Sequence, residues 1–223
     1  SNEMLDRLHG NVVWGMRGNF LDVPTDCPQR DERLGWTGDI AAFASTAVFL
    51  YDVKDFLADW LRDLALEQEH HDGIVPMVVP DAIKLFMEPD DVFPQMDSTA
   101  IWSDAAVWVP WSMWMAYGDR TVLEQQWNSM TAHARRVASQ LSDAGVWESG
   151  FQLGDWLDPS APPEAPHLGK ADAHVVATLC AYRTMTLVAQ SAAVLGDTAA
   201  EQEFLAAAER IPAGFARAEI THG

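Results

Sequence analysis

The chain has 223 residues, 48% of them apolar, and a formal net charge of −19. That apolar content supports one sizeable core and excludes a disordered chain. The charge excludes nucleic acid as an expected partner, because phosphate binding needs a basic face, and it suits a neutral or cationic ligand.

From the N-terminus, residues near 3–17 read as a helix, the outer member of a preceding pair. A Pro-, Gly- and Asp-rich connection follows over roughly 17–38. Residues near 39–51 are rich in Ala, Val, Leu and aromatics. Residues near 53–67 place Val53, Phe56, Leu57, Trp60, Leu61 and Leu64 at the i, i+3, i+4, i+7 spacing of an amphipathic helix. A second long connection covers roughly 70–99. Residues near 100–117, AIWSDAAVWVPWSMWMAY, are apolar on almost every face, which predicts burial all round with a kink at Pro110. Residues near 121–141 repeat the stripe with Val122, Leu123, Trp127, Met130, Ala134, Val137 and Leu141. A third connection, roughly 144–172, leads to the Ala-rich 173–195. The stripe returns over 198–217 with Leu205, Ala208, Ile211 and Phe215, and Pro212 is expected to kink or end that helix. Thr121-x-x-Glu124 and Thr198-x-x-Glu201 have the capping-box form, and Gly118 and Gly196 fit helix ends.

A period links these elements. LYDVKDFLADWL (50–61), YGDRTVLEQQW (117–127) and LGDTAAEQEFL (195–205) each set a tight turn around an Asp ahead of an amphipathic helix. The turns recur about 70 residues apart, which reads as a repeated αα-hairpin. Hairpins return to the same side, so the three long connections are expected at one end and the tight turns at the other. The predicted fold is all-α: buried inner helices and amphipathic outer ones, forming the first part of an (α/α)6 barrel. Six hairpins need roughly twice this length, so residues 1–223 are expected to be the N-terminal half of a larger domain. An opened ring would expose apolar inner helices and drive homo-oligomerisation.

The first long connection holds DCPQRDERLGWTGD (26–39). Cleaving a glycosidic bond needs a carboxylic acid that stays protonated near neutral pH, and crowding carboxylates raises the pKa of one of them. Glu32, among Asp26, Asp31 and Asp39 and near the indole of Trp36, is such a candidate. Arg30 and Arg33 oppose the shift if they point inward. The same charges read equally as a solvated turn. Of the ten tryptophans, most serve the core, while a subset can stack on pyranose rings in a cleft.

The stretch NFLDVPTDCPQRDERLGWTGD, Asn19 to Asp39, resembles the signature of the bacterial α-L-rhamnosidases of glycoside hydrolase family 78, at the start of their (α/α)6 catalytic domain. The likeness continues, in the family's order, through DGIVPMVVPD (72–81), IWSDAAVWVPW (101–111), YGDRTVLEQQW (117–127) and FQLGDWLDP (151–159). It implies inverting hydrolysis of terminal α-L-rhamnosides, with a small carbohydrate as partner. Glu32 matches the general acid. Asp26, Arg30 and Asp39 match residues that bind rhamnose hydroxyls, and Trp36, Trp102 and Trp156 match aromatics of the sugar pocket. Asp104 and Asp155 are adjacent polar candidates. The family's general base, about 6.5–9.5 Å from the acid across the sugar, lies in the second half of the barrel. No matching segment follows Phe215, and the loop glutamates Glu148 and Glu164 sit in no matching motif. The 223 residues are therefore expected to lack the second half and the accessory β-domains, and to be inactive or nearly so alone. The alternatives are another (α/α)6 carbohydrate-active enzyme, or a non-catalytic sugar-binding or structural fragment.

No cofactor or metal is expected. His70 and His71 point apart in regular structure, and no further ligand beyond Asp72 comes at useful spacing. Glu88-Pro-Asp90-Asp91 resembles the Asp-rich magnesium motif of helical terpene cyclases, but its prolines keep the carboxylates off one helical face. Cys27 and Cys180 are expected as free thiols in a packed interior. No apolar run reaches the ~18 residues of a membrane helix, so no membrane partner is expected. The sequence shows no signal peptide. The cytoplasm is the default compartment, with export left open because Ser1-Asn2 has the form of a tag scar.

Overall fold

The computed structural model describes residues 2–30, 33–86, 97–166 and 168–222, with side chains described through residue 217. Among the described residues there are seven α-helices: α1 (Glu3–Asn19), α2 (Thr37–Leu50), α3 (Lys54–His70), α4 (Ala105–Tyr117), α5 (Thr121–Gln140), α6 (Ala173–Leu195) and α7 (Thr198–His222). A single turn of 3-10 helix covers Ile83–Leu85. The fold is all-helical, as the hairpin period predicts.

The apolar helices α2, α4 and α6 form an inner row in which α4 touches both neighbours. The amphipathic helices lie outside them: α3 and α5 pack on each other and on α4, and α7 packs on α6. The α3 stripe is buried at Leu57, Trp60, Leu61 and Leu64, each such side chain contributing about 1.5–3 kcal/mol. Phe56 is half-buried and stacks on Phe20 of the first loop, ring centroids 4.9 Å apart. In α7 the expected stripe holds at Ala208 and Ile211, but at its start Phe204 is buried in place of Leu205, which is 43% exposed.

In each tight turn the Asp side chain accepts from a backbone N–H in the first turn of the outer helix that follows. Asp52 accepts from the Lys54 N–H, Asp119 from the Thr121 N–H and Asp197 from the Ala200 N–H. Thr121 and Thr198 are the first helical residues, so the capping boxes expected there do not form. Glu124 instead pairs with Arg120 at 2.7 Å. Gly118 and Gly196 end α4 and α6 in the left-handed conformation, φ 64° and 80°. The turns also bind each other: Lys54 Nζ lies 2.6 Å from Asp119, and the Tyr117 hydroxyl donates to the Tyr51 carbonyl while accepting from the Val53 N–H.

Three further expectations need correction. Pro212 does not end α7, which runs on through it. The helix expected from residue 100 starts at Ala105, because residues 100–104 form a turn held by the Asp104 carboxylate. Only the N-terminal half of α4 is buried all round; Met115 is 66% exposed. Of the two free cysteines, Cys27 is buried and Cys180 half-buried. Burial first, and the Asp104 charge second, push the Cys180 thiol far above its usual pKa. Among the described residues no helix is long and apolar enough to cross a membrane.

Candidate active site

The long connections meet at the end opposite the tight turns. The first and second are joined through the Thr37 N–H, which donates to the Met77 carbonyl at 2.8 Å, and the Val79 N–H, which donates to the Gly35 carbonyl at 2.9 Å. Trp36 and Val78 pair as an isolated bridge. Gly35 sits so near the Val79 carbonyl that a Cβ there has no room. The second connection is tied to the start of the 100–104 turn by Ser103 Oγ, which donates to the Val75 carbonyl. Gln152 of the third connection accepts from the Ala100 N–H at 2.9 Å.

A cavity of about 280 Å³ opens between α1, the first connection and α2. Asn19, Thr25, Asp26 and Asp39 give it a polar side, and Met16, Phe20 and Phe43 an apolar one. Asp26 is fixed by the loop itself: its Oδ1 accepts from the Leu34 N–H, and its own N–H donates to the Leu34 carbonyl. Arg30 reaches the other oxygen of Asp26 at 3.5 Å. Arg33 is a staple of the loop, donating to the Gly18 carbonyl at 2.8 Å and to Thr25 Oγ1 at 3.3 Å.

Asp39 lies in the first turn of α2 and faces solvent at the cavity mouth. Its pKa is raised, first by desolvation of the carboxyl among its neighbours and next by the negative charge of Asp26. A backbone hydrogen bond and Arg30 oppose the rise without cancelling it. Asp26, Arg30 and Asp39 therefore form one electrostatically coupled group. Like charges held together against their own repulsion are a mark of binding and catalytic clefts.

Trp36 is half-buried at the residue before α2. Trp102 is only 8% exposed and packs on the same helical turn: a Cβ on Gly38 would stand 2.5–2.7 Å from three atoms of its indole. The residue before Trp102, Ile101, has φ 72°, and the residue after Trp156, Leu157, has φ 65°. A left-handed conformation costs a non-glycine residue about 1–3 kcal/mol and collects at functional sites. Asp155 and Trp156 are exposed on the third connection, Trp156 by 41%.

Of the described sequence candidates, Asp26 and Asp39 line this cavity, and Arg30, Trp36, Trp102, Asp104, Asp155 and Trp156 do not. Asp104 is 1% exposed and turned into the bundle, where its oxygens accept from His133, Thr184 and the Ile101 N–H. It does not reach the cavity. Glu32, with Asp31, lies outside the described residues, as does Glu88-Pro-Asp90-Asp91. Glu148 and Glu164 are exposed. Among the described residues no three His, Cys, Asp or Glu side chains gather as a metal-binding group. His71 instead pairs with Asp81 at 3.1 Å beside a second cavity of about 310 Å³.

The helical pairing is matched by known proteins. Residues 1–222 match the bacterial alpha-L-rhamnosidase six-hairpin glycosidase domain. The chain belongs to this family.

Among alpha-L-rhamnosidases, that of Streptomyces avermitilis is 41% identical over 197 residues, covering 88% of this chain and 17% of its own length. One from Formosa agariphila is 32% identical over 223 residues, covering 100% of this chain and 23% of its own length. The chain thus spans about a fifth of the length of these rhamnosidases. The crystal structure of a native rhamnosidase from Aspergillus terreus superposes with a TM-score of 0.86 at 36% identity, over 98% of this chain and 24% of that one. The Streptomyces avermitilis enzyme complexed with L-rhamnose superposes with a TM-score of 0.77 at 37% identity, over 96% of this chain and 19% of that one.

Sequence reasoning missed Thr25, Phe43 and Asn19 as parts of the cavity of this rhamnosidase-family chain. Asn19 and Thr25 stand inside the Asn19–Asp39 signature, which was the available signal. Phe43 gave none, because one apolar residue in an apolar helix does not show which way it faces.

Proposed function

We propose that this chain carries the acid and sugar-binding side of an α-L-rhamnosidase site. The observation that carries the reading is that Asp26 and Asp39 line one cavity, with Arg30 paired to Asp26 beside it. These are the residues whose positions match rhamnose-hydroxyl ligands in the family signature. A carboxylate accepts hydrogen bonds from sugar hydroxyls, and a raised pKa lets Asp39 act also as a donor over part of the pH range. The methyl group of the 6-deoxy sugar suits an apolar wall such as Phe20 or Phe43.

In this reading Glu32 gives its proton to the glycosidic oxygen as that bond to the anomeric carbon breaks, the bonding pair leaving with the oxygen. A water oxygen attacks the anomeric carbon from the opposite face and gives up its proton to a general base. Glu148 and Glu164 sit in no matching motif, so the 223 residues are expected to bind the sugar with little or no turnover.

The test is calorimetric titration with L-rhamnose beside turnover of a nitrophenyl α-L-rhamnoside. Saturable binding, weakened at least about tenfold in Asp26→Asn, supports the reading. Absence of L-rhamnose binding overturns it. Should the wild-type chain turn the rhamnoside over, undiminished turnover in Glu32→Gln removes Glu32 as the acid.

A further inference from the structure

We propose that Asp104, His133 and Thr184 are positioning residues that set the Trp102 indole against the first turn of α2. For its consequence on sugar binding this rests on the rhamnoside reading above; for the geometry it stands alone. The three side chains come from the start of α4, from α5 and from α6, and Asp104 and His133 are each 1% exposed. His133 Nε2 lies 3.0 Å from Asp104 Oδ1 and carries the proton of that hydrogen bond, since a carboxylate only accepts. Thr184 Oγ1 donates to the same oxygen at 2.6 Å, and Trp108 Nε1 donates to Thr184 Oγ1 at 2.9 Å. With Oδ1 pinned by two helices, the second oxygen has one orientation. There it accepts from the Ile101 N–H at 2.7 Å.

That last bond holds Ile101 at φ 72°, a conformation a β-branched residue does not keep unaided. The next residue is Trp102, whose ring fills the space left by the missing side chain of Gly38. Asp39 follows Gly38 in the chain. Released from the carboxylate, Ile101 is expected to relax toward negative φ and carry the Trp102 ring away from α2. A buried charge makes a good anchor here, because removing any one of its partners leaves a strong acceptor unpaired. The Nδ1 of His133 has no partner among the described residues. The histidine thus faces the network through one nitrogen alone.

The experiment reads Trp102 directly. In the full chain labelled with ¹⁵N-tryptophan, Trp102→Phe identifies the Trp102 indole resonance. Thr184→Val removes one donor to Asp104 at nearly constant volume, and Thr184→Ser keeps it. The expected result is a shifted or broadened Trp102 resonance in Thr184→Val, restored in Thr184→Ser. An unmoved Trp102 resonance in a folded Thr184→Val protein overturns the proposal, even if the melting temperature falls as after any core change. If Thr184→Val does not fold, His133→Leu against His133→Gln gives the same readout.

An L-rhamnose titration then separates the two claims. Where wild type binds, Thr184→Val is expected to weaken binding about tenfold, and by less than about twofold in the Trp102→Phe background. Full additivity in that background overturns the coupling. If wild type does not bind L-rhamnose, the functional reading falls, while the indole resonance still decides the positioning role.

Discussion

Gly38→Ala puts the packing at the N-terminal end of α2 to a quantitative test. Gly38 is a helical residue, and a glycine-to-alanine change in a helix ordinarily stabilises by about 0.5–1 kcal/mol. At this position the new Cβ would meet three indole atoms of Trp102 at 2.5, 2.6 and 2.7 Å. Carbon atoms rest at about 3.5–4 Å, so the overlap is about 1 Å on each contact. The indole is 8% exposed and has little room to swing. Overpacking of this kind costs about 1–3 kcal/mol. Gly10, inside α1, is the matched control, since a Cβ there meets nothing within 4 Å. Gly10→Ala is expected to raise Tm by about 1–4 °C. Gly38→Ala is expected to lie about 2–12 °C below it and to lose affinity for L-rhamnose. Thermal unfolding of the two variants side by side decides the matter. A parallel rise in both would refute the close contact between Trp102 and α2.

Two more predictions rest on charge and on exposed apolar surface. Asp39 has a raised pKa, so the fold favours its protonated form, and ionising it weakens the fold. The penalty is absent below the ordinary aspartate pKa and grows as pH rises through the raised value. Asp39→Asn should therefore stabilise the chain at pH 7 and not at pH 3, by well under about 1 kcal/mol because solvent at the mouth screens the charges. Thermal melts of both proteins at the two pH values check this, and equal gains at both would refute it. Inner helices α2, α4 and α6 leave Phe49 83%, Met115 66%, Leu179 51% and Tyr182 42% exposed. Light scattering of the 223-residue chain should show concentration-dependent self-association, and a clean monomer at high concentration would refute it.

The helices themselves were legible in the sequence. The stripe of Leu57, Trp60, Leu61 and Leu64, the Asp of each tight turn, and Gly118 and Gly196 are local signals. Each acts through neighbours within one or two turns, so a reader of the chain sees both partners at once. The signature from Asn19 to Asp39 likewise brought Asp26, Arg30 and Asp39 together, because one loop and the first turn of the helix it enters carry them all.

Asp104 shows what only the tertiary structure decides. By position it looked like a sugar ligand, two residues past Trp102. Its partners His133 and Thr184 stand 29 and 80 residues further along the chain, and only the packing of α4, α5 and α6 brings them to it. A carboxylate takes its role from the nearest donors, and folding brings those donors from segments that no local pattern connects. The start of α4 at Ala105, the continuation of α7 through Pro212 and the burial of Phe204 in place of Leu205 were likewise settled by the folded bundle.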